Sequence, residues 1–168
     1  LATTDSGLYK TLLVLHILCA IVGLGAVMLN GLYASQAARR QGTPRRAVSE
    51  SNFFVSSIGE YFIYGIAVFG ILLVLASDKA WKFSQTWIWL SLVIYVVAVG
   101  VSHSILIPGH KRLNALYAEM EEGPAAAAGS PQAVEVDAIG KRMAAAGAIL
   151  DVSVVVFLVL MIWKPGVG

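Results

Sequence analysis

The stretch LLVLHILCAIVGLGAVMLNGLYASQAARR, Leu12 to Arg40, decides how this chain folds. It is apolar apart from His16 until Asn30 near its end, and paired arginines, Arg39 and Arg40, follow it. A membrane-crossing helix needs about 20 mostly apolar residues, and this run supplies them. Hydrocarbon offers no hydrogen bonds to a backbone, so a run of this kind is satisfied there as a helix.

Working outward, three more stretches meet the same test. The four spans are predicted at about residues 8–34, 53–76, 86–107 and 143–163, with Pro108-Gly109 ending the third and Pro165 the fourth. Composition agrees: 58% of residues are hydrophobic and 13% charged, against roughly 25% charged in a soluble domain. The expected fold class is all-α, an integral membrane up-down four-helix bundle forming a single membrane domain over residues 1–168. The Ala/Gly/Pro-rich segment 121–140 reads as a flexible linker, with a short surface helix before it at 110–120.

A net charge of +2 is too small to argue for nucleic acid. Cys19 is the only cysteine, which excludes an internal disulfide and a cysteine zinc cluster and leaves a small packing residue. LATTDSG, at the start, lacks the basic flank of a signal peptide. No internal repeat points to an inverted-repeat transporter.

Basic residues set the expected orientation. Arg39, Arg40, Arg45, Arg46, Lys111, Arg112, Lys141 and Arg142 flank one side of the spans, and Lys10, Lys79, Lys82 and Lys164 the other. Eight against four, with every arginine on one side, predicts both termini outside and the basic loops in the cytoplasm of a bacterial inner membrane. Trp81, Trp87, Trp89 and Trp163 fall near the outer ends, as an interfacial aromatic belt does. The arginine cluster is a topology signal and a contact for anionic headgroups.

Each span carries one ionisable residue: His16, Glu60, His103 and Asp151 in turn, with Asn30 as a further polar group. Such groups are costly in hydrocarbon and face a bundle interior, a cavity or a cofactor. At ~1.5 Å per residue, Asn30 and His103 lie ~6 Å from the arginine-rich edge, Glu60 ~10 Å and Asp151 ~12 Å. They are predicted to form one buried polar cluster. His16 lies ~12 Å from the opposite edge. Small and polar stripes support inward facing: His16, Ala20, Gly23, Val27 and Asn30 on the first span; Ser56, Ser57, Glu60, Tyr64 and Ala67 on the second; Ser91, Tyr95 and Ser102, with His103 beside them, on the third; Ala144, Ala148 and Asp151 on the fourth.

Two readings of these residues stand side by side. In one, Glu60–His103 or Asp151–His103 is a structural pair that fixes helix register, Tyr64 and Tyr95 are core aromatics, and His16 is a satisfied core histidine. In the other, His16 and His103 are candidate haem ligands, because neutral imidazole binds haem iron and helical bundles hold haem between facing helices. Beyond haem iron no metal site is expected. No serine–histidine–aspartate constellation, phosphate loop or zinc signature is visible.

The pattern LHILCAIVGLGAVMLNGLYASQAARR, with an early histidine, glycines after it and a basic patch beyond, resembles an uncharacterised bacterial four-span membrane protein family, a domain of unknown function. That family is similar, distantly, to the CopD copper-resistance proteins and the HemJ-type protoporphyrinogen oxidases. The resemblance implies a four-span fold across most of the chain. The HemJ likeness implies a haem-ligand role for His16. HemJ-type enzymes also carry an intramembrane lysine, and this chain has none within a span.

The function expected from these readings is an accessory subunit of a membrane complex, respiratory or redox, binding haem b and serving electron transport rather than acting as an enzyme by itself. The alternative is a proton- or metal-ion-coupled transporter or channel component using the Asn30, Glu60, His103, Asp151 layer. Expected partners are the lipid bilayer and other membrane subunits or further copies of the chain.

Overall fold

The computed structural model describes residues 3–122 and 129–166, and among them there is no strand. Helix α1 spans Gly7–Ala38, α2 Gly42–Leu75, α3 Thr86–Val101, α4 Ile107–Glu122 and α5 Pro131–Trp163. A single π-helical turn, Ser102–Leu106, joins α3 to α4 into one continuous rod. The rod counts as one crossing, so four helices are long and apolar enough to span a membrane. They run up and down in sequence order. α1 packs on α2 and α5, and the α3–α4 rod closes the ring by touching α2 and α5.

The closest packing is between α1 and α2, and glycines allow it. A Cβ at Gly59 would sit 2.5 Å from Ala26 Cβ, one at Gly65 2.7 Å from Cys19 Sγ, and one at Gly23 3.0 Å from the Ile63 backbone nitrogen. Lipid tails are as apolar as leucine, so helices in a bilayer associate through close van der Waals contact, which small residues permit. Cys19 is buried there as a packing group. Elsewhere the interior is modest: Leu106, Ala146 and Leu150 form one apolar cluster, and Trp87, Ile88 and Leu160 another. Large apolar side chains such as Ile21, Val96 and Ile162 face outward, toward lipid.

Three boundaries differ from the sequence expectation. α2 begins at Gly42 rather than near 53. Its 34 residues make a rod of about 51 Å, longer than the ~30 Å hydrocarbon layer. Apolar length therefore measured the crossing and not the helix. The third span does not stop at Pro108. Ile107 donates its N–H to the Ser102 carbonyl, five residues back, instead of four. That wider turn precedes the proline, which has no N–H to give and whose ring crowds the preceding turn. Finally, α5 starts at Pro131, inside the expected linker. Ser130 accepts the Ala133 N–H at 3.2 Å, and Pro131 takes the first helical position, where its missing N–H costs nothing. Residues 123–128 of that linker lie outside the described residues.

The projecting ends at the arginine-rich side pack into a polar cluster. Arg112 holds Glu135 through two hydrogen bonds of 2.7 and 2.9 Å, and Arg46 reaches Glu121 at 3.2 Å. Beneath them Leu113 and Leu116 are buried, and the buried Ser49 hydroxyl donates to Asn114 Oδ1 at 2.5 Å. Ser49→Ala leaves that amide oxygen without its donor. It is expected to destabilise the protein by about 1–2 kcal/mol in thermal unfolding, while the exposed Ser51→Ala changes nothing measurable.

At the opposite end, the aromatic residues do more than mark an interface. Trp81 and Trp87 meet edge to face at 5.5 Å, and Lys164 Nζ sits 4.4 Å over the Trp81 ring. Trp81 Nε1 donates to the Tyr9 hydroxyl at 2.9 Å. Trp81 and Trp87 thus turn inward and clasp the ends of α1, α3 and α5, whereas Trp89 and Trp163 remain exposed.

Candidate functional site

Residues 53, 57, 60, 61 and 64 share one side of α2, by three- and four-residue spacing. Glu60 and Tyr64 are one turn apart, and the Tyr64 hydroxyl donates to Glu60 Oε1. From the π turn of the neighbouring rod, His103 brings Nε2 to 3.0 Å from the same oxygen and to 2.9 Å from Tyr64 Oη. His103 Nδ1 lies 3.0 Å from the Val99 carbonyl. One glutamate, one tyrosine and one histidine therefore form a closed hydrogen-bonded triad between α2 and the rod.

Proton accounting defines what the triad can do. A carbonyl oxygen only accepts, so Nδ1 carries a hydrogen and donates to Val99. The Tyr64 hydroxyl has one hydrogen, which it gives to Glu60 Oε1, so one carboxyl oxygen and the imidazole Nε2 converge on a single phenol.

The triad is not sealed inside the bundle. The His103 and Glu60 side chains are 47% and 30% exposed. Glu60 and Tyr64 line a groove of about 290 Å³ between α2 and α4, together with Phe53, Ser57, Tyr61, Ile107 and Lys111.

The other expected site residues go elsewhere. Asn30 Oδ1 accepts from the Ser56 hydroxyl at 2.8 Å, tying α1 to α2 away from the triad. His16 places Nδ1 3.0 Å from the Ile66 carbonyl, with its ring edge against Gly70. Asp151 is exposed, as are Ala144 and Ala148, and it makes no ion pair or hydrogen bond among the described residues. α5 instead buries Ala146, Leu150, Val154 and Leu160, so its inner face lies opposite the small-residue stripe. The four-residue layer of Asn30, Glu60, His103 and Asp151 is therefore not formed: only Glu60 and His103 meet. Tyr64, which completes the site, was legible only as a stripe member one turn beyond Glu60.

The donor set does not fit a haem bridged by His16 and His103. Both His103 nitrogens are engaged, Nδ1 by Val99 and Nε2 by Glu60 and Tyr64. Among the described residues no group of three or more His, Cys, Asp or Glu side chains is arranged to hold a metal.

Four apolar helices, with polar groups gathered at membrane depth and apolar faces turned to lipid, define an integral membrane helical bundle. Residues 10–165 match the family described as "Predicted integral membrane protein (DUF2269)", and the chain belongs to that family. A likeness to the CopD or HemJ proteins is not shown by that match. No curated protein and no solved structure matches the chain.

Proposed function

We propose that this protein is an accessory subunit of a membrane assembly, and that α5 is the helix its partner covers. One observation carries the reading: Asp151 lies on the outward face of an apolar helix with no partner among the described residues. A carboxyl group in hydrocarbon is costly, and it is met by a partner group or a polar cavity. The same face offers Ala148 and Ala144 one and two turns away, small enough for another helix to approach closely. A helix that carries a hydrogen-bond donor or cation at that depth fits both features. With the arginine-rich ends on the cytoplasmic side, as the basic residues favour, the two termini lie outside.

A photo-crosslinking residue at Ala148 tests this in native membranes, with Ile21, exposed on α1, as the comparison. Position 148 is expected to give a protein adduct and position 21 lipid adducts alone. An adduct at twice the mass of the chain identifies a second copy as the partner; any other discrete protein mass identifies a different subunit. Asp151→Leu is expected to shrink the detergent-extracted assembly. Lipid adducts alone at position 148, with an unchanged particle size for Asp151→Leu, overturn the proposal.

A further inference from the structure

Where the rod leaves the membrane, a second groove of about 210 Å³ runs between α4 and α5. It crosses the bilayer boundary. The third span reaches about residue 107 and the fourth begins at about 143, and Gly109 meets Met143 at that level. A Cβ on this glycine would sit 2.6 Å from Met143 Sδ. On the bilayer side of the contact the lining is Ser104, Ile105 and Pro108, at the depth of acyl chains. On the far side it is Arg142, next to Met143, and Arg112, three residues beyond Gly109. At ~1.5 Å per residue these two backbones stand ~2 and ~5 Å past the contact. That places them in the headgroup layer, which adds roughly 5–8 Å to each side of the hydrocarbon. Ser104, Pro108, Arg112 and Arg142 are exposed, so the groove is open from its apolar end to its basic end.

The two arginines differ in what they already hold. Arg112 is taken by Glu135 at 2.7 Å and lies 3.6 Å from Glu119. Arg142 makes no ion pair or hydrogen bond among the described residues, and no carboxylate is among the residues that line the groove. A guanidinium stays charged and binds phosphate oxygens in pairs. The groove therefore fits one object, apolar at its buried end and singly anionic at the other. A water-soluble phosphate meets only the basic end. An uncharged lipid leaves Arg142 without a counter-ion, and a choline head brings a second cation beside it. We propose that this groove holds an anionic glycerophospholipid, with its phosphodiester on Arg142 and the start of one acyl chain along Ile105 and Pro108. Arg112, held by Glu135, is a fixed wall of the site. The lipid does not compete with the partner assigned to α5: at about 100° per residue, Arg142 stands roughly 180° around the helix from Asp151.

The test uses the full chain in detergent micelles, with bound lipids counted by native mass spectrometry. Phosphatidylglycerol is titrated against phosphatidylcholine of the same chain length. The first phosphatidylglycerol is expected to bind about fivefold more tightly. Arg142→Gln is expected to abolish that preference. Arg39→Gln removes the same charge from the exposed end of α1 and is expected to leave it intact, which separates a site from diffuse attraction. Ser104→Leu adds bulk at the apolar end without changing charge and is expected to weaken phosphatidylglycerol binding. Glycerol 3-phosphate, a water-soluble phosphate, is expected not to displace the lipid. Circular dichroism checks each fold, and if Arg142→Gln does not fold, Ser104→Leu and the glycerol 3-phosphate competition decide. Equal affinity for the two lipids, an equal loss in Arg39→Gln, unchanged binding in Arg142→Gln or Ser104→Leu, or displacement by glycerol 3-phosphate overturns the proposal. Because lipid is counted on the isolated chain, those outcomes leave the partner on α5 to be judged by its own crosslink.

Discussion

Gly59→Ala is expected to be among the most damaging single-methyl changes in this protein. The added carbon would lie 2.5 Å from Ala26 Cβ, and neither atom belongs to a side chain that can swing away. The backbones of α1 and α2 must separate, and overpacking of this kind costs about 1–3 kcal/mol. Separation also loosens the contacts of Gly23 with Ile63 and Gly65 with Cys19 along the same seam. Gly100→Ala is the counterpart, since nothing lies within 4 Å of its added carbon. There the better helix propensity of alanine leaves stability unchanged or slightly raised. Thermal unfolding in detergent, both variants against the parent, reads the difference directly. Equal midpoints for the two variants contradict the glycine seam.

The second large effect concerns the triad, and its signature is non-additivity. His103→Leu removes the imidazole that lies 3.0 Å from Glu60 Oε1 and leaves a carboxyl at membrane depth with Tyr64 as its one remaining partner. An orphaned ionisable group at that depth costs about 2–4 kcal/mol. Replacing all three residues, Glu60→Leu with Tyr64→Phe and His103→Leu, removes both the bonds and the need for them. The triple variant is expected to be more stable than His103→Leu alone, because residues of one network do not contribute independently. Unfolding in mixed micelles measures the cycle. A triple variant whose loss equals the sum of the three single losses shows that the side chains do not act as a unit.

How much of this was legible beforehand varies by element. The four crossings followed from apolar length, because the solvent itself demands it. The meeting of Glu60 and His103 was within reach of helix-rise arithmetic, which put the two residues at similar depth. Rotation was the harder variable. α5 is apolar almost all round, and in a bilayer both its lipid face and its buried face are hydrophobic, so small residues at 144 and 148 suggested an inner face that is in fact Ala146, Leu150 and Val154. Asp151 was misplaced with them. The α2 extension escaped notice because Gly42 to Asn52 is polar yet helical, held by tertiary contacts such as Ser49 with Asn114. Ser130-Pro131 did carry a helix-start signal, masked by the alanine- and glycine-rich context before it.

The π turn at Ser102–Leu106 has a mechanical consequence. An extra residue in one turn shifts the angular phase of everything beyond it by roughly 100°. The embedded half of the rod can keep His103 aimed at Glu60, while the projecting half independently sets Arg112 against Glu135 and Leu116 into its buried seat. The rod thus works as two separately geared shafts on one axle, each aligned to its own neighbours.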